Sequence, residues 1–198
     1  MFILGVTGAS GSGKSTFAKY LSLYGFEHID TDLLARKILP DAANLLAEAF
    51  GKDIITSENT VDRKLLASRA FSSPENTEKL NQITHPLITK ALIEELEEAS
   101  RRGVTKIAID GAALFEAGAD KLCDITVAVC AEERTRLNRV ILRDNITEEE
   151  ATQRFSAQKP QSYYTSKSDF TIESNNYDQI VENTKKFLNQ LGTGGKIL

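Results

Sequence analysis

The sequence has few of the features that mark secreted or membrane proteins. Only two of its 198 residues are cysteines, Cys123 and Cys130, which is too few for a disulfide framework, and their spacing is not that of a CxxC motif. We expect both to be small core residues on or near a strand. No apolar run reaches the roughly 18 residues that a membrane helix needs, and no basic stretch precedes an apolar one at the N-terminus. The sequence therefore predicts a cytoplasmic protein with no membrane partner.

An excess of charge of either sign is also missing. The chain has 24 lysines and arginines against 28 aspartates and glutamates, a net charge of −4. This balance provides no general attraction for nucleic acid, so we expect no nucleic-acid partner. With 41% apolar residues, a chain of 198 residues can build one core and a small insertion, but not two ordinary domains.

Short apolar segments alternate with helical ones along the chain. The predicted strands are mostly apolar and do not alternate strictly between apolar and polar residues, which is typical of a parallel sheet covered on both faces. They are residues 1–6, 26–29, 106–109, 125–129 and 170–172. Ligands of such sheets bind at the carboxyl ends of the strands, and the polar residues discussed next follow those ends.

The stretch from about residue 40 to residue 100 is predicted to be mostly helical. Helical spacing marks residues 42–50, 62–71 and 86–99, and Asp62 is placed to cap the second of these helices. Because the stretch is too long for one strand-to-strand crossover, we expect a helical insertion beside the sheet. His85 would stand at the start of the third helix, and no second metal-ligand cluster accompanies it, so no zinc site is predicted.

A glycine-rich loop follows the first predicted strand. Residues 8–15 read GASGSGKS and match the pattern G-x-x-x-x-G-K-[ST]. Glycines let successive backbone N–H groups point at phosphate oxygens, and the following helix adds its positive end. In this pattern Lys14 reaches the β- and γ-phosphates of a nucleotide and Ser15 offers a hydroxyl to Mg²⁺. The alternative, a flexible turn, is disfavoured by the strand before the loop and the helix after it.

Four acidic residues follow predicted strands. Asp30 and Asp32 lie just beyond the second strand and would share one face if the chain is still extended there. A kinase needs a carboxylate beside the acceptor hydroxyl, but Asp32 could equally cap the next helix. Asp110 ends the third strand and could hold Mg²⁺ directly or through water. For Asp110 and for Glu116, the alternative is a solvated loop acid.

Three arginines, Arg136, Arg139 and Arg143, recur at helical spacing before a polar stretch at residues 144–164. At about 100° per residue they form one narrow stripe on a helix. Most such stripes are solvated faces. The functional alternative is a lid whose guanidinium groups contact a transferring phosphoryl group. Spacing alone leaves both interpretations open.

In this order and spacing, the segments resemble the dephospho-coenzyme A kinase family over essentially the whole chain. The matching segments are GVTGASGSGKST, HIDTDLLAR, DRKLLASRAF, LNQITHPLI, DGAALFEAG, RLNRVILRDNITEEEATQRFSAQ and SDFTIESN. The glycine-rich loop alone is generic among nucleotide-binding proteins, whereas the combination is specific.

The resemblance implies a P-loop NTPase of the α/β class, with a doubly wound, five-stranded parallel sheet in the order 2-3-1-4-5. Residues 1–198 would form a single kinase domain. Its parts would be a nucleotide-binding core at 1–39, 104–138 and 168–191, a helical CoA-binding insertion at about 40–100, a helical lid at about 139–165, and a flexible tail at 192–198.

The implied reaction transfers the terminal phosphoryl group of ATP, with Mg²⁺, to the ribose 3′-hydroxyl of dephospho-CoA. The resemblance assigns ATP binding to Gly8, Gly11, Ser12, Gly13, Lys14, Ser15 and Thr16. It makes Asp32 the base that faces the hydroxyl, with Lys14, Arg139 and Arg143 as the other catalytic groups. The acceptor pocket would be lined by Asp30, Arg36, Arg63, His85 and Glu116, and the metal would be held by Ser15 and Asp110.

Two positions depart from the family's pattern. Ala112 stands where the family often has Pro, and Ser174 stands where Asn is common, with Asn175 one place later. The second departure bears on the contact with adenine rather than on the reaction. Two other functions compete with this one: a kinase for another small molecule, and a nucleotide-dependent switch that has no acceptor. The sequence does not distinguish a monomer from a homo-oligomer.

Overall fold

All five predicted strands lie parallel in one sheet. The structure, a computed structural model, describes residues 1–156 and 158–193. The strands are β1 (Phe2–Thr7), β2 (Glu27–Asp30), β3 (Lys106–Asp110), β4 (Ile125–Cys130) and β5 (Phe170–Glu173). Their order across the sheet, β2-β3-β1-β4-β5, confirms the predicted order. The segments after β1, β2 and β3 therefore all leave the same edge of the sheet.

Helices connect the strands and make up most of the remaining described chain. In chain order they are α1 (Lys14–Leu21), α2 (Thr31–Lys37), α3 (Leu39–Phe50), α4 (Arg63–Ala70), α5 (Pro74–Arg101), α6 (Glu133–Asp144), α7 (Glu148–Ser156), α8 (Gln161–Lys167) and α9 (Tyr177–Thr193). None of the helices in the described ranges is long and apolar enough to cross a membrane. A flexible tail is predicted for residues 192–198, but α9 continues through Thr193. The rest of that predicted tail, residues 194–198, lies outside the described residues.

Contacts along the chain divide it into two units. We call Met1–Asp30, together with the described residues from Gly103 onward, the core unit. The helical unit is Thr31–Arg102. It begins directly after β2, earlier than the boundary near residue 40 that the sequence suggests.

Both faces of the sheet are covered at β4. Val127 packs in one apolar cluster with Phe17 of α1 and Phe187 of α9. Ala128, the next residue, packs instead with Tyr164 of α8. Consecutive residues of a strand point to opposite faces, so α8 lies across the sheet from α1 and α9. Burial on both faces explains why β4 is apolar at every position except Thr126.

The helical unit has its own apolar core. Its buried side chains include Ile38, Ala42, Leu46, Phe50, Ile54, Leu66 and Ala70. At the start of α4, the carboxylate of Asp62 accepts hydrogen bonds from the backbone N–H groups of Lys64 and Leu65, each at 3.0 Å. Asp62 therefore caps α4 as predicted, a contact worth about 1 kcal/mol.

The third predicted helix of this unit begins well before Pro86. Helix α5 starts at Pro74, after Ser73, whose hydroxyl accepts a hydrogen bond from the N–H of Asn76 at 3.2 Å. The prediction that His85 stands at a helix start is wrong, because His85 and Pro86 both lie inside α5. An internal proline removes one backbone hydrogen bond and crowds the preceding turn. The apolar side chains that α5 packs against the core of the helical unit offset that cost.

Candidate active site

The loop between β1 and α1 has the backbone shape that its glycines predict. Gly11 and Gly13 have φ angles of +76° and +95°, in the left-handed region that favours glycine. Neighbouring groups also leave no room for a side chain there. A Cβ atom at Gly11 would overlap the carbonyl oxygen of Arg136, and one at Gly13 would overlap the hydroxyl oxygen of Ser174. Backbone conformation and packing therefore both require glycine at these positions.

The first turn of α1 carries the ammonium and hydroxyl groups of the pattern. Lys14 is the first residue of α1, and its Nζ atom lies 3.5 Å from the carbonyl oxygen of Ala9. Ser15 and Thr16 follow with exposed side chains. Within the described chain, this turn holds no acidic side chain. The positive end of the helix and Lys14 therefore both favour an anion at the loop.

Two carboxylates stand side by side at the carboxyl edge of the sheet. Asp110, the last residue of β3, is only 4% exposed and pairs in register with Val6 of β1 and with Asp30 of β2. The Nε2 atom of His28 lies 3.6 Å from the Oδ2 atom of Asp110. The core unit thus brings Asp30 and Asp110 to the edge from which the glycine-rich loop departs.

Asp32 has a different setting from Asp30. Helix α2 begins at Thr31, so Asp32 lies in the first helical turn, where its side chain is exposed. It does not extend the strand, so the expectation that Asp30 and Asp32 share a strand face is wrong. With Thr31 already helical, Asp32 is not the N-cap either. A carboxylate in the first turn is still stabilised by the helix dipole.

The remaining acceptor-pocket candidates lie on several elements. Arg36 is exposed in the last turn of α2, and Arg63 is exposed as the first residue of α4. His85 is partly buried inside α5. Glu116, in the core unit, is exposed on the segment that follows β3. Contact of these four side chains with an acceptor stays a prediction.

Arg139 is tied to the glycine-rich loop. Its Nη1 atom donates a hydrogen bond to the carbonyl of Gly11 at 3.1 Å. Its Nη2 atom donates to the carbonyls of Ser174 at 2.5 Å and Asn175 at 3.1 Å. Burial lowers the pKa of Arg139, but a guanidinium remains charged in proteins. Arg139 therefore joins three elements: the loop, α6, and the turn between β5 and α9.

The other two arginines of the stripe occupy unlike environments. Arg136 is 9% exposed, and its guanidinium carbon lies 4.8 Å from the centre of the Phe155 ring, a cation–π contact. Arg143 is exposed and donates two hydrogen bonds to Asp144, Nε to Oδ1 at 2.7 Å and Nη2 to Oδ2 at 2.9 Å. Arg154 donates to the same carboxylate at 2.5 Å. A solvated face therefore describes Arg143 but not Arg136.

Two residues beside the loop are not marked as functional candidates by any sequence motif. Tyr164 is buried against Ala9, and burial, with the nearby charge of Glu116, raises the pKa of Tyr164 to about 12. Ser174 is fully buried beside Gly13. No motif marks Tyr164, and the only signal at Ser174 is its departure from the Asn common at that position.

The oxygen donors near the loop fit Mg²⁺ that arrives with a nucleotide. Mg²⁺ keeps several waters and takes one or two protein oxygens together with substrate phosphates. The hydroxyl of Ser15 and the carboxylate of Asp110 are donors of this kind. Across residues 1–156 and 158–193, no three His, Cys, Asp or Glu side chains form a group that could hold a metal unaided.

Known proteins match the chain over nearly its whole length. A family model described as dephospho-CoA kinase matches residues 2–180. A dephospho-CoA kinase of Corynebacterium efficiens is 37% identical over 178 residues, 88% of this chain and 89% of that protein. A solved structure from Thermus thermophilus has a TM-score of 0.82 at 30% identity and covers 96% of each chain. The dephospho-CoA kinase of Campylobacter jejuni has a TM-score of 0.67 at 25% identity and covers 98% of each chain.

The ion pairs of Asp144 predict a pH-dependent stability. Hydrogen bonds from Arg143, with the charges of Arg143 and Arg154, lower the pKa of Asp144 from 3.8 to about 2. A depressed pKa contributes stability that is present above the unfolded value and is lost as pH falls through the folded one. We expect Asp144→Asn to lower the midpoint of thermal unfolding at pH 7, and the difference from the unsubstituted protein to disappear as pH falls from about 4 to about 2.

Glu58→Gln, at an exposed loop position, is the matched control and should leave the midpoint unchanged throughout. If Asp144→Asn lowers the midpoint by the same amount at pH 7 and at about pH 2, the ion pairs of Asp144 are not the source of the pH dependence.

Proposed function

Because this chain belongs to the dephospho-CoA kinase family, which catalyses the last step of coenzyme A biosynthesis with ATP, we propose how its residues carry out that reaction. The terminal phosphoryl group of ATP passes to the ribose 3′-hydroxyl of dephospho-CoA, giving ADP and CoA. Phosphoryl transfer asks for little covalent chemistry from a protein, so catalysis is mostly positioning and charge stabilisation.

ATP binds at the glycine-rich loop. The strongest support is the loop itself, in which glycines with positive φ pack against neighbouring residues and the N-terminus of α1 follows directly. The loop N–H groups and the positive end of α1 receive the phosphates. Gly8, Gly11, Ser12, Gly13 and Thr16 form the cradle, and Lys14 contacts the β- and γ-phosphates.

Mg²⁺ accompanies the nucleotide. Ser15, directly after the loop, binds the ion through its hydroxyl oxygen. Asp110, at the end of the neighbouring strand β3, binds it through its carboxylate, directly or through water. When bound, the ion supplies positive charge to the phosphate oxygens.

The acceptor belongs with the carboxylates and cations that follow β2 and β3. Asp32 orients the 3′-hydroxyl and accepts its proton, a task that an exposed carboxylate in the first turn of α2 can perform. In the helical unit, Arg36, Arg63 and His85 bind the acceptor as well. In the core unit, Asp30 and Glu116 do so.

Arg143 and Arg139 supply the remaining positive charge. Arg143 is exposed, and a guanidinium in such a position can move onto the transferring phosphoryl group. Arg139 acts from the nucleotide side of the loop, to which it is already bonded. The lid that carries these arginines also excludes water, which would otherwise compete with the acceptor.

The partners follow from the reaction. They are two small molecules, ATP and dephospho-CoA, with no nucleic acid or membrane involved. A mildly acidic chain that acts on diffusible substrates suits the cytoplasm.

ADP release with different acceptors tests the proposed function. Purified protein with Mg-ATP should release ADP only when dephospho-CoA is added, and the product should be heavier by one phosphoryl group. Release of ADP without any acceptor would support a nucleotide-dependent switch instead. Turnover with a nucleoside or its monophosphate, but not with dephospho-CoA, would keep ATP binding at the loop and overturn the acceptor.

Asp32→Asn tests the proposed base. The amide keeps the size of the side chain but cannot accept the proton of the hydroxyl, so we expect kcat to fall by roughly 100-fold or more. The affinity for ATP should stay close to that of the unsubstituted protein, because the nucleotide binds elsewhere. Asp41→Asn, an exposed acid of the same helical unit, is the control and should leave kcat unchanged. Near-normal turnover of Asp32→Asn would remove Asp32 from this role.

A further inference from the structure

Ser174 occupies the turn between β5 and α9 and is fully buried. Its backbone N–H donates a hydrogen bond to the carbonyl of Cys130 at 2.9 Å, which fixes the residue against the end of β4. Its hydroxyl donates to the carbonyl of Ser12 at 2.6 Å. Its own carbonyl accepts from Arg139 at 2.5 Å. The residue is therefore held by these three hydrogen bonds, and its hydroxyl donates to the glycine-rich loop.

The contact with Ser12 determines which way one peptide of the loop faces. A trans peptide is planar, so the carbonyl of Ser12 and the N–H of Gly13 point in opposite directions. With the carbonyl held against Ser174, the N–H of Gly13 is directed away from it. No acceptor among residues 1–156 and 158–193 takes that N–H. It remains available to a phosphate oxygen.

Gly13 makes this external contact necessary. With φ at +95° and no Cβ, its backbone can adopt conformations on both sides of the map, so nothing in the residue itself fixes the peptide. The same absence of a Cβ lets the Ser174 hydroxyl approach closely. Arg139 holds the carbonyl of Gly11 in a parallel manner, at 3.1 Å, so successive carbonyls of the loop are both held from outside.

We propose that Ser174 is a positioning residue for the nucleotide: its hydroxyl holds the Ser12–Gly13 peptide so that the Gly13 N–H faces the phosphates of ATP before ATP binds. This inference rests on the proposed function, namely that the loop binds ATP. A hydrogen bond that orders the loop in advance removes an ordering cost from binding. Ser174 acts through the Ser12–Gly13 peptide, so we expect its effect on the nucleotide and not on the acceptor.

Ser174→Ala is the direct test, with Thr184→Val as its matched control. Thr184 is also fully buried, and its hydroxyl also donates to a backbone carbonyl, that of Ile180 at 2.6 Å, but this bond joins two residues of α9 and no atom of the loop. We expect Ser174→Ala to raise the dissociation constant for Mg-ATP roughly 3- to 10-fold, the effect of one lost hydrogen bond. The KM for dephospho-CoA should stay within about twofold of that of the unsubstituted protein, since Ser174→Ala removes no contact with the acceptor. Thr184→Val should change neither constant.

Two further variants complete the design. Ser174→Thr retains the hydroxyl and should restore ATP binding to within about twofold of the unsubstituted protein, since the hydrogen bond is kept. If Ser174→Ala does not fold, Ser174→Cys takes its place, because a thiol has a similar shape but donates weakly. The proposal would be overturned if Ser174→Ala and Thr184→Val lost equal ATP affinity. It would also be overturned if ATP binding were unchanged in Ser174→Ala, or in Ser174→Cys where that variant replaces it.

Lys14→Ala separates this inference from the proposed function. If the loop binds ATP, Lys14→Ala abolishes or strongly weakens ATP binding, whatever Ser174→Ala does. If Lys14→Ala binds ATP normally, the loop is not the ATP site, and the proposed function and the role of Ser174 are both wrong. Weak binding by Lys14→Ala with normal binding by Ser174→Ala would reject the role of Ser174 alone.

Discussion

The close approach of the glycine-rich loop to the elements around it is the constraint on which the candidate site depends. Gly11 lies against the backbone of α6 at Arg136, and Gly13 lies against Ser174 in the turn after β5. Each contact needs a residue without a Cβ and with a positive φ. The loop is therefore shaped by its surroundings as much as by its own sequence. A loop held by such contacts needs less ordering when a ligand binds, which lowers the entropic cost of binding.

The parallel sheet explains why these contacts converge. With β1 in the centre, flanked by β3 and β4, the loop after β1 leaves the sheet between two other strand ends. Asp110 stands at the end of β3, and the residues after β4 and β5 supply Arg139 and Ser174 on the other side. The carboxylate of Asp110 and the anchors for the loop backbone thus lie on opposite flanks of one loop. The same arrangement is the general reason why open parallel sheets bind ligands at this edge.

The sequence predicts the repeating and the local features well, and the long-range ones poorly. The five strands of a parallel sheet, the glycine-rich loop between β1 and α1, and the cap at Asp62 are all present as predicted. The strand order, which is also confirmed, was implied by the family resemblance and not by the local pattern. The helix start predicted at Pro86 is wrong because proline is common at a first helical position, whereas packing of the whole helix decides the extent of α5. Spacing also could not reveal that Arg139 bonds the loop, since the contact joins residues 128 positions apart. Ser174 and Ser12 are separated by 162 positions, and no local pattern reports such a contact.

The central claim is that packing around the loop creates the ATP site, and two alanine substitutions test it most directly. Gly11 and Gly25 have similar φ angles, +76° and +82°, but a Cβ at Gly11 would overlap Arg136, whereas one at Gly25 would meet nothing within 4 Å. Both variants therefore place a Cβ at a positive φ, but only the Cβ at Gly11 overlaps a neighbouring residue. The measurement is the dissociation constant for Mg-ATP, by calorimetry, in both variants. The account predicts a loss of at least about 10-fold for Gly11→Ala, or about 1.4 kcal/mol, and no change for Gly25→Ala. Equal affinities in the two variants would contradict it.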